Sequence, residues 1–265
     1  MFIDGNKAIA LPNGTVCTGC TLGGTKIVHR TGSSPRRSKK VRDSPITFYG
    51  QLVYSDTCTS FPRSFPHGYT GMVNFCDADS GERDFFLVRP HDPDEVGSAL
   101  KEYHRKNQHR LQGGKIWIWK TDNGGEFRGD AIDGIGGLAR ELVTKRQYSV
   151  ANTDNCNPEA ERAWRVIQRG IRTCHAHASA PNCLWSWAAA QCSLVYHHLA
   201  SAVHDPPISP RDFLDPRLPP ADLSWARTMF CDVMVALPER DLYNKACHRT
   251  TTGCHLGYDL SLIHI

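Results

Sequence analysis

The chain has 265 residues, 40% hydrophobic and 22% charged, a composition ordinary for a globular protein with one full core domain and flanking pieces. No apolar run approaches the ~20 residues of a membrane span, and Met1-Phe2-Ile3-Asp4 lacks the basic start and apolar stretch of a secretory signal, so no membrane partner is expected. Eleven cysteines, an odd number without regular spacing, argue against a secreted disulfide framework, and a net charge of +4 is too small to argue for nucleic acid by itself.

Residues 1–25 are glycine-rich and contain Cys17-Thr18-Gly19-Cys20. From Lys26 to Arg42 there are seven Lys or Arg (26, 30, 36, 37, 39, 40 and 42) and no acidic residue. This predicts an extended basic linker over 26–43, either a solvated tether or a contact for a phosphate backbone through Arg36, Arg37, Lys39 and Lys40. Pro35-Arg36-Arg37-Ser38-Lys39-Lys40 also has the composition of a nuclear-import patch.

Residues 44–205 alternate strand and helix patterns. Leu52–Asp56, Gly71–Asp77 and Asp84–Arg89 are predicted as three successive strands. A helix is predicted over 93–106, with Pro93 in its first turn and Val96, Leu100 and Tyr103 on one face. Lys115–Thr121 is the fourth strand, rich in β-branched and aromatic residues. A helix is expected over 126–141, weakened by Gly134, Gly136 and Gly137, then a fifth strand over 146–150. Two helices follow, over 158–178 and 183–201. A proline-rich stretch begins at Pro206 and leads into short strand-like runs. Alternation alone gives α/β or α+β.

The most informative stretch is Thr121-Asp122-Asn123-Gly124-Gly125-Glu126-Phe127. Asp122 sits where the fourth strand ends, and Asn-Gly-Gly turns the backbone so that the carboxylate stands at a sheet edge. A carboxylate held there suits a divalent cation if others converge on it. Asp56 closes the first strand, and Glu161 lies in Asn157-Pro158-Glu159-Ala160-Glu161-Arg162-Ala163-Trp164-Arg165, which opens a long helix pattern.

These positions resemble the Asp, Asp, Glu triad of retroelement integrases, specifically the copia-type retrotransposon branch. That family carries an Asp at a strand end, then Thr-Asp-Asn-Gly-x-Glu-Phe, then a Glu in an Ala-Glu-Arg segment entering a helix. Here the last two carboxylates lie 39 residues apart, which fits the family. The resemblance implies an α/β, RNase H-like core with a mixed five-stranded sheet flanked by helices. It divides the chain into a truncated zinc-binding remnant (1–25), the basic linker (26–43), the catalytic core (44–205), a Pro-rich connector with a partial SH3-like β-barrel (206–259), and a six-residue tail (260–265) that matches one frame of a library-preparation adapter. The chain is then expected to be a fragment of a polyprotein.

The implied activity is 3′-end processing and strand transfer of element DNA, two in-line attacks on a phosphodiester, first by water and then by a 3′-hydroxyl. Mg²⁺ or Mn²⁺ is the implied cofactor, with Asp122 on one ion, Glu161 on a second and Asp56 bridging. Cys17 and Cys20 resemble half of a His-His-Cys-Cys zinc site whose histidine pair does not precede them. Double-stranded DNA, assembly as a homo-multimer on DNA, and location in the nucleus and a cytoplasmic virus-like particle complete the expectation.

Rivals exist at two positions. Glu159 competes with Glu161 from another helix face, although Ala160-Glu161-Arg162 aligns better with the family motif. Asp77 and Asp79 compete with Asp56, but Asp77-Ala78-Asp79-Ser80-Gly81 has the composition of a turn. The segments after Asp56 (57–62) and before Glu161 (156–159) depart from the family pattern. Those departures keep open a second reading, an inactive degenerate copy that only binds nucleic acid. His175 with His177 and His197 with His198 are expected as core or surface histidines, and Trp164, Trp185 and Trp187 as helix-packing residues. Arg162, Arg165, Arg169 and Arg172 place guanidinium groups along one helix, with phosphate contact as their expected role.

Overall fold

A computed structural model describes residues 45–89, 92–128, 132, 137–149, 157–201, 203–220, 223–224, 226–236 and 250–257. Cys17 and Cys20, the basic residues Arg36, Arg37, Lys39 and Lys40, and the 260–265 tail lie outside the described residues.

Five strands form one mixed sheet: β1 (Leu52–Cys58), β2 (Gly71–Asp77), β3 (Arg83–Val88), β4 (Ile116–Thr121) and β5 (Val143–Tyr148). Their order is β3-β2-β1-β4-β5. β1, β2 and β3 pair antiparallel as a meander, whereas β4 joins β1 in parallel and β5 joins β4 in parallel. Helix α1 (Pro93–Asn107) makes the crossover into β4. Its Asp92 cap accepts from the Asp94 and Glu95 amides, and Pro93 occupies the first turn, where no amide donor is missed. Helix α2 (Leu138–Leu142) precedes β5, and α3 (Pro158–Ala178), α4 (Trp185–His198) and α5 (Pro210–Leu214) follow.

Side-chain alternation sorts the core into two layers. From β1 and β2, Val53, Val73 and Phe75 face α1, where Phe75 stacks on Tyr103 at 4.7 Å between centroids. Tyr54, Met72 and Cys76 point to the opposite face, covered by Ala160, Ala163, Trp164 and Ile167 of α3 and, further along, by α4. β2 is buried along its whole length because both faces of the sheet are covered.

The structure departs from the sequence expectation in three places. The helix expected over 126–141 is not continuous. A 3₁₀ turn spans Gly125–Phe127, Arg128 leaves helical geometry (φ −121°, ψ 1°), and Gly137 is extended (φ −67°, ψ 150°) before α2 begins. Phe127, fully buried against Trp119, pulls that turn into the core. The fifth strand starts at Val143, directly after α2, rather than at residue 146. The last long helix occupies Trp185–His198, behind a 3₁₀ turn at Asn182–Leu184. In the C-terminal part the described residues form a two-stranded antiparallel sheet, β6 (Asp232–Ala236) with β7 (Thr250–Cys254). Among the described residues no helix is long and apolar enough to cross a membrane.

Candidate active site

Register brings the two aspartates together. Tyr54 of β1 pairs in parallel with Lys120 of β4, so Asp56 and Asp122, each two residues further on, stand level on the same face. The Lys120 ammonium over the Tyr54 ring, 5.7 Å from its centroid, marks that shared face.

The heptapeptide after β4 is built to hold Asp122. Its Oδ1 accepts from the Gly124 amide at 3.0 Å, an Asx turn that orients the carboxylate. A Cβ on Gly124 would meet the Glu126 carboxylate at 2.6–2.9 Å, so any side chain here must push the end of Glu126 aside. Buried Glu126 accepts a 2.6 Å bond from the Thr57 hydroxyl, tying the turn to the end of β1. Phe127 anchors the far end, and Arg146 Nη2 donates to its carbonyl at 3.0 Å while the guanidinium lies over Trp119, 3.8 Å from the ring centroid.

Three side chains clamp α3 to β1. Asn74 Oδ1 accepts from the Asp56 amide at 2.9 Å, and its Nδ2 donates to the Ala160 carbonyl at 3.1 Å. Asn157 Nδ2 donates to the Ser55 carbonyl at 2.7 Å. Trp164 Nε1 donates to Asp56 Oδ2 at 3.1 Å, while the Thr57 amide donates to Asp56 Oδ1 at 2.9 Å. These bonds seat the first turn of α3 beside Asp56, where exposed Glu161 acts on it electrostatically.

Burial and repulsion by the Asp122 carboxylate push Asp56 up to about 6, with Glu161 adding to the rise and the Thr57 and Trp164 donors opposing it. Asp122 and Glu161 thus both bear on Asp56 near the carboxyl ends of β1 and β4. Glu159, the rival of Glu161, faces away and pairs with Arg162 at 2.8 Å. Asp77 is occupied elsewhere. It accepts from the amides of Gly50 and Ser80 and from the Ser80 hydroxyl, all at 2.8 Å, closing the β2–β3 turn. The histidine pairs stay apart from this pole: His175 and His198 bond to the carbonyls of Ala180 and Leu194.

Along α3, Glu161, Arg165, Gln168 and Arg172 fall on one stripe. Arg165 and Arg172 are exposed. The stripe borders a cavity of about 210 Å³ lined by Cys58, Thr59, Ser60, Phe61, Gln168, Ile171 and Arg172. Sequence reasoning took Trp164 for a packing residue and missed Asn74, Asn157 and Thr57 altogether. The only sequence signal for Trp164 is its position three residues after Glu161, on a neighbouring face of the same helix.

A hard divalent cation fits the oxygen donors of Asp56, Asp122 and Glu161, and relief of the repulsion that raises Asp56 would favour its binding. Among the described residues no three His, Cys, Asp or Glu side chains already converge as a ligand set. Exposed Glu161 is the member with room to move.

No family model and no curated protein matches the chain. Solved structures do. One is a chain in the cryo-EM structure of the simian T-cell lymphotropic virus intasome in complex with the PP2A regulatory subunit B56 gamma. It shares 14% identity at a TM-score of 0.51, over 78% of this chain and 68% of that one. Another is the catalytic core domain of BIV integrase, with 11% identity and a TM-score of 0.46, over 63% of this chain and 96% of that one. The intasome match agrees with the sheet order β3-β2-β1-β4-β5: the chain has an RNase H-like fold, a mixed five-stranded sheet flanked by helices.

Proposed function

We propose that the chain is the catalytic part of a copia-type retrotransposon integrase, which trims and joins DNA ends. The observation that supports this is Asp56, which burial, the Asp122 carboxylate and, more weakly, Glu161 raise to about 6. Asp56, Asp122 and Glu161 would hold Mg²⁺ or Mn²⁺. Bound there, the metal supplies activation of the attacking oxygen and stabilisation of the leaving oxygen.

The chain's own residues do the positioning. Trp164 and the Thr57 amide orient both Asp56 oxygens, the Gly124 amide orients Asp122, and Asn157 with Asn74 fixes the height of α3 above the sheet. The exposed guanidinium groups of Arg165 and Arg172 point to phosphate contact along the stripe that starts at Glu161. On this reading the partners are double-stranded DNA and further copies of the chain, and the work is done in the nucleus after assembly in a cytoplasmic particle.

The test is disintegration of a branched DNA by the full chain with Mn²⁺ or Mg²⁺. Activity lost by at least about 100-fold in Asp122→Asn and Glu161→Gln, with DNA binding kept, is the expected result. The departures from the family pattern at 57–62 and 156–159 support a second reading, an inert copy that only binds nucleic acid. A folded wild-type chain that binds DNA but neither cleaves nor joins it, and takes up no Mn²⁺, would decide for that reading.

A further inference from the structure

Away from the carboxylate pole, α3 and α4 bring two thiols together. Cys174 Sγ and Cys192 Sγ lie 4.0 Å apart, Cys174 half-buried and Cys192 buried. One turn earlier the helices approach closely: a Cβ on Gly170 would stand 2.6 Å from Cys192 Sγ and 3.3 Å from Cys192 Cβ. Gly170 and Cys174 are four residues apart, hence on one face of α3. Helices this close bring the cysteine Cβ atoms toward the separation that a disulfide requires. The two thiols also differ. Hydrogen bonding with Cys192 lowers Cys174, whereas the same bond and burial push Cys192 well up. The more accessible sulfur is therefore the better nucleophile.

We propose that Cys174 and Cys192 are an oxidant-sensitive pair that forms a reversible disulfide pinning α3 to α4. The oxidant is a peroxide. The Cys174 thiolate attacks one oxygen of hydrogen peroxide, an S–O bond forms as the O–O bond breaks, and the departing hydroxide takes a proton and leaves as water. Cys192 sulfur then displaces the second oxygen as the S–S bond forms, and its thiol proton leaves with that oxygen as a second water. Two thiols are oxidised and one peroxide is reduced to two waters. The link falls on the helix that carries Glu161 and Trp164, but the proposal does not depend on what those residues do.

The test uses the full chain. After exposure to hydrogen peroxide, free thiols are blocked with iodoacetamide in denaturant, and the protein is digested with chymotrypsin. Cleavage after Trp185 and Trp187 puts the two cysteines on separate peptides. The expected product is one cross-linked pair, Cys174 with Cys192, that dithiothreitol separates. Cys76, buried within the sheet and pushed up to about 12, should escape the peroxide and be recovered alkylated. Gly170→Ala should form the link at least about tenfold more slowly, because the new methyl displaces Cys192 Sγ. Cys183→Ser should form it at the wild-type rate, with circular dichroism checking that each variant is folded. Recovery of Cys174 as a sulfinic acid, its linkage to Cys183, or both thiols still alkylatable once exposed Cys254 is fully oxidised would overturn the proposal.

Discussion

Asp56 is where a single residue's chemistry is most exposed to measurement. Its carboxyl is raised from 3.8 to about 6 in the folded chain, so between those values the folded state holds a proton that the unfolded state releases. The stabilisation from the neutral form is complete below about 4 and is lost as pH rises through 6. Asp56→Asn removes that dependence. Relative to wild type, the variant should gain about 1–2 kcal/mol between pH 4.5 and 7.5, read from urea unfolding at both pH values. A constant difference across that range would show that neither burial nor its acidic neighbours raise the Asp56 carboxyl. Divalent-ion binding must displace the same proton, so Mn²⁺ affinity should fall below pH 6, by about tenfold per unit. Trp164→Phe keeps the ring against Phe85 but loses the donor to Asp56 Oδ2. The fall in Mn²⁺ affinity should then begin at higher pH, measured by titration calorimetry across pH.

At the scale of elements, the candidate site depends on how α3 is docked, not on helix propensity. Its first turn has no side-chain cap, so the Asn157 side chain, bonded instead to the Ser55 carbonyl, holds helix to strand. Asn157→Ala leaves that buried carbonyl without its side-chain donor and should cost about 1–3 kcal/mol. In a disintegration assay the variant should lose rate even at saturating Mn²⁺, because Glu161 is no longer held at the right height. Full activity with lowered stability would make Asn157 purely structural. The turn after β4 has a parallel weakness. Gly124→Ala forces the Glu126 carboxylate off the turn, breaking its bond to Thr57 and loosening Asp122. A clear loss of Mn²⁺ affinity with little loss of thermal stability is the expected signature.

Across the whole molecule, buried ionisable groups set a pH profile that no single element shows. Asp77 is raised to about 6 and Glu82 to about 7, both chiefly by burial. Glu82 accepts a 2.6 Å bond from the Tyr49 hydroxyl and lies 3.4 Å from His197 Nδ1. That contact is not an ion pair at neutral pH, since burial and the nearby Lys106 charge lower His197 to about 4. The signs oppose. Asp56, Asp77 and Glu82 each hold a folded-state proton that is lost as pH rises, so they make stability fall. His197 binds its proton more weakly when folded, so it makes stability rise from about 4 to 6.5. Three groups outweigh one: unfolding free energy should drop by on the order of 3 kcal/mol from pH 5 to 7.5. Denaturant midpoints across that range check the sign, and a rising midpoint would contradict it.

Much of this was legible locally. The order of strands and helices over 52–198 followed from β-branched runs, Pro93 and Pro158 in first helical turns, and amphipathic spacing, which act over a few residues. The turn at Asn123-Gly124-Gly125 and the carboxylate before it were readable for the same reason. The helix expected over 126–141 failed because Phe127 answers to Trp119 and Arg146, not to its neighbours in sequence. Which carboxylates share the pole was likewise beyond local reading. Glu161 rather than Glu159 bears on Asp56, and Asp77 is consumed by its own turn, because parallel pairing of β1 with β4 and the clamps from Asn74, Asn157 and Trp164 put those groups in place. Sequence by itself determined the elements and the donor types, since propensity and turn chemistry are short-ranged. Only the tertiary structure decided which charges meet and how far Asp56 is shifted, because desolvation and Coulomb repulsion depend on what packing brings within a few ångströms.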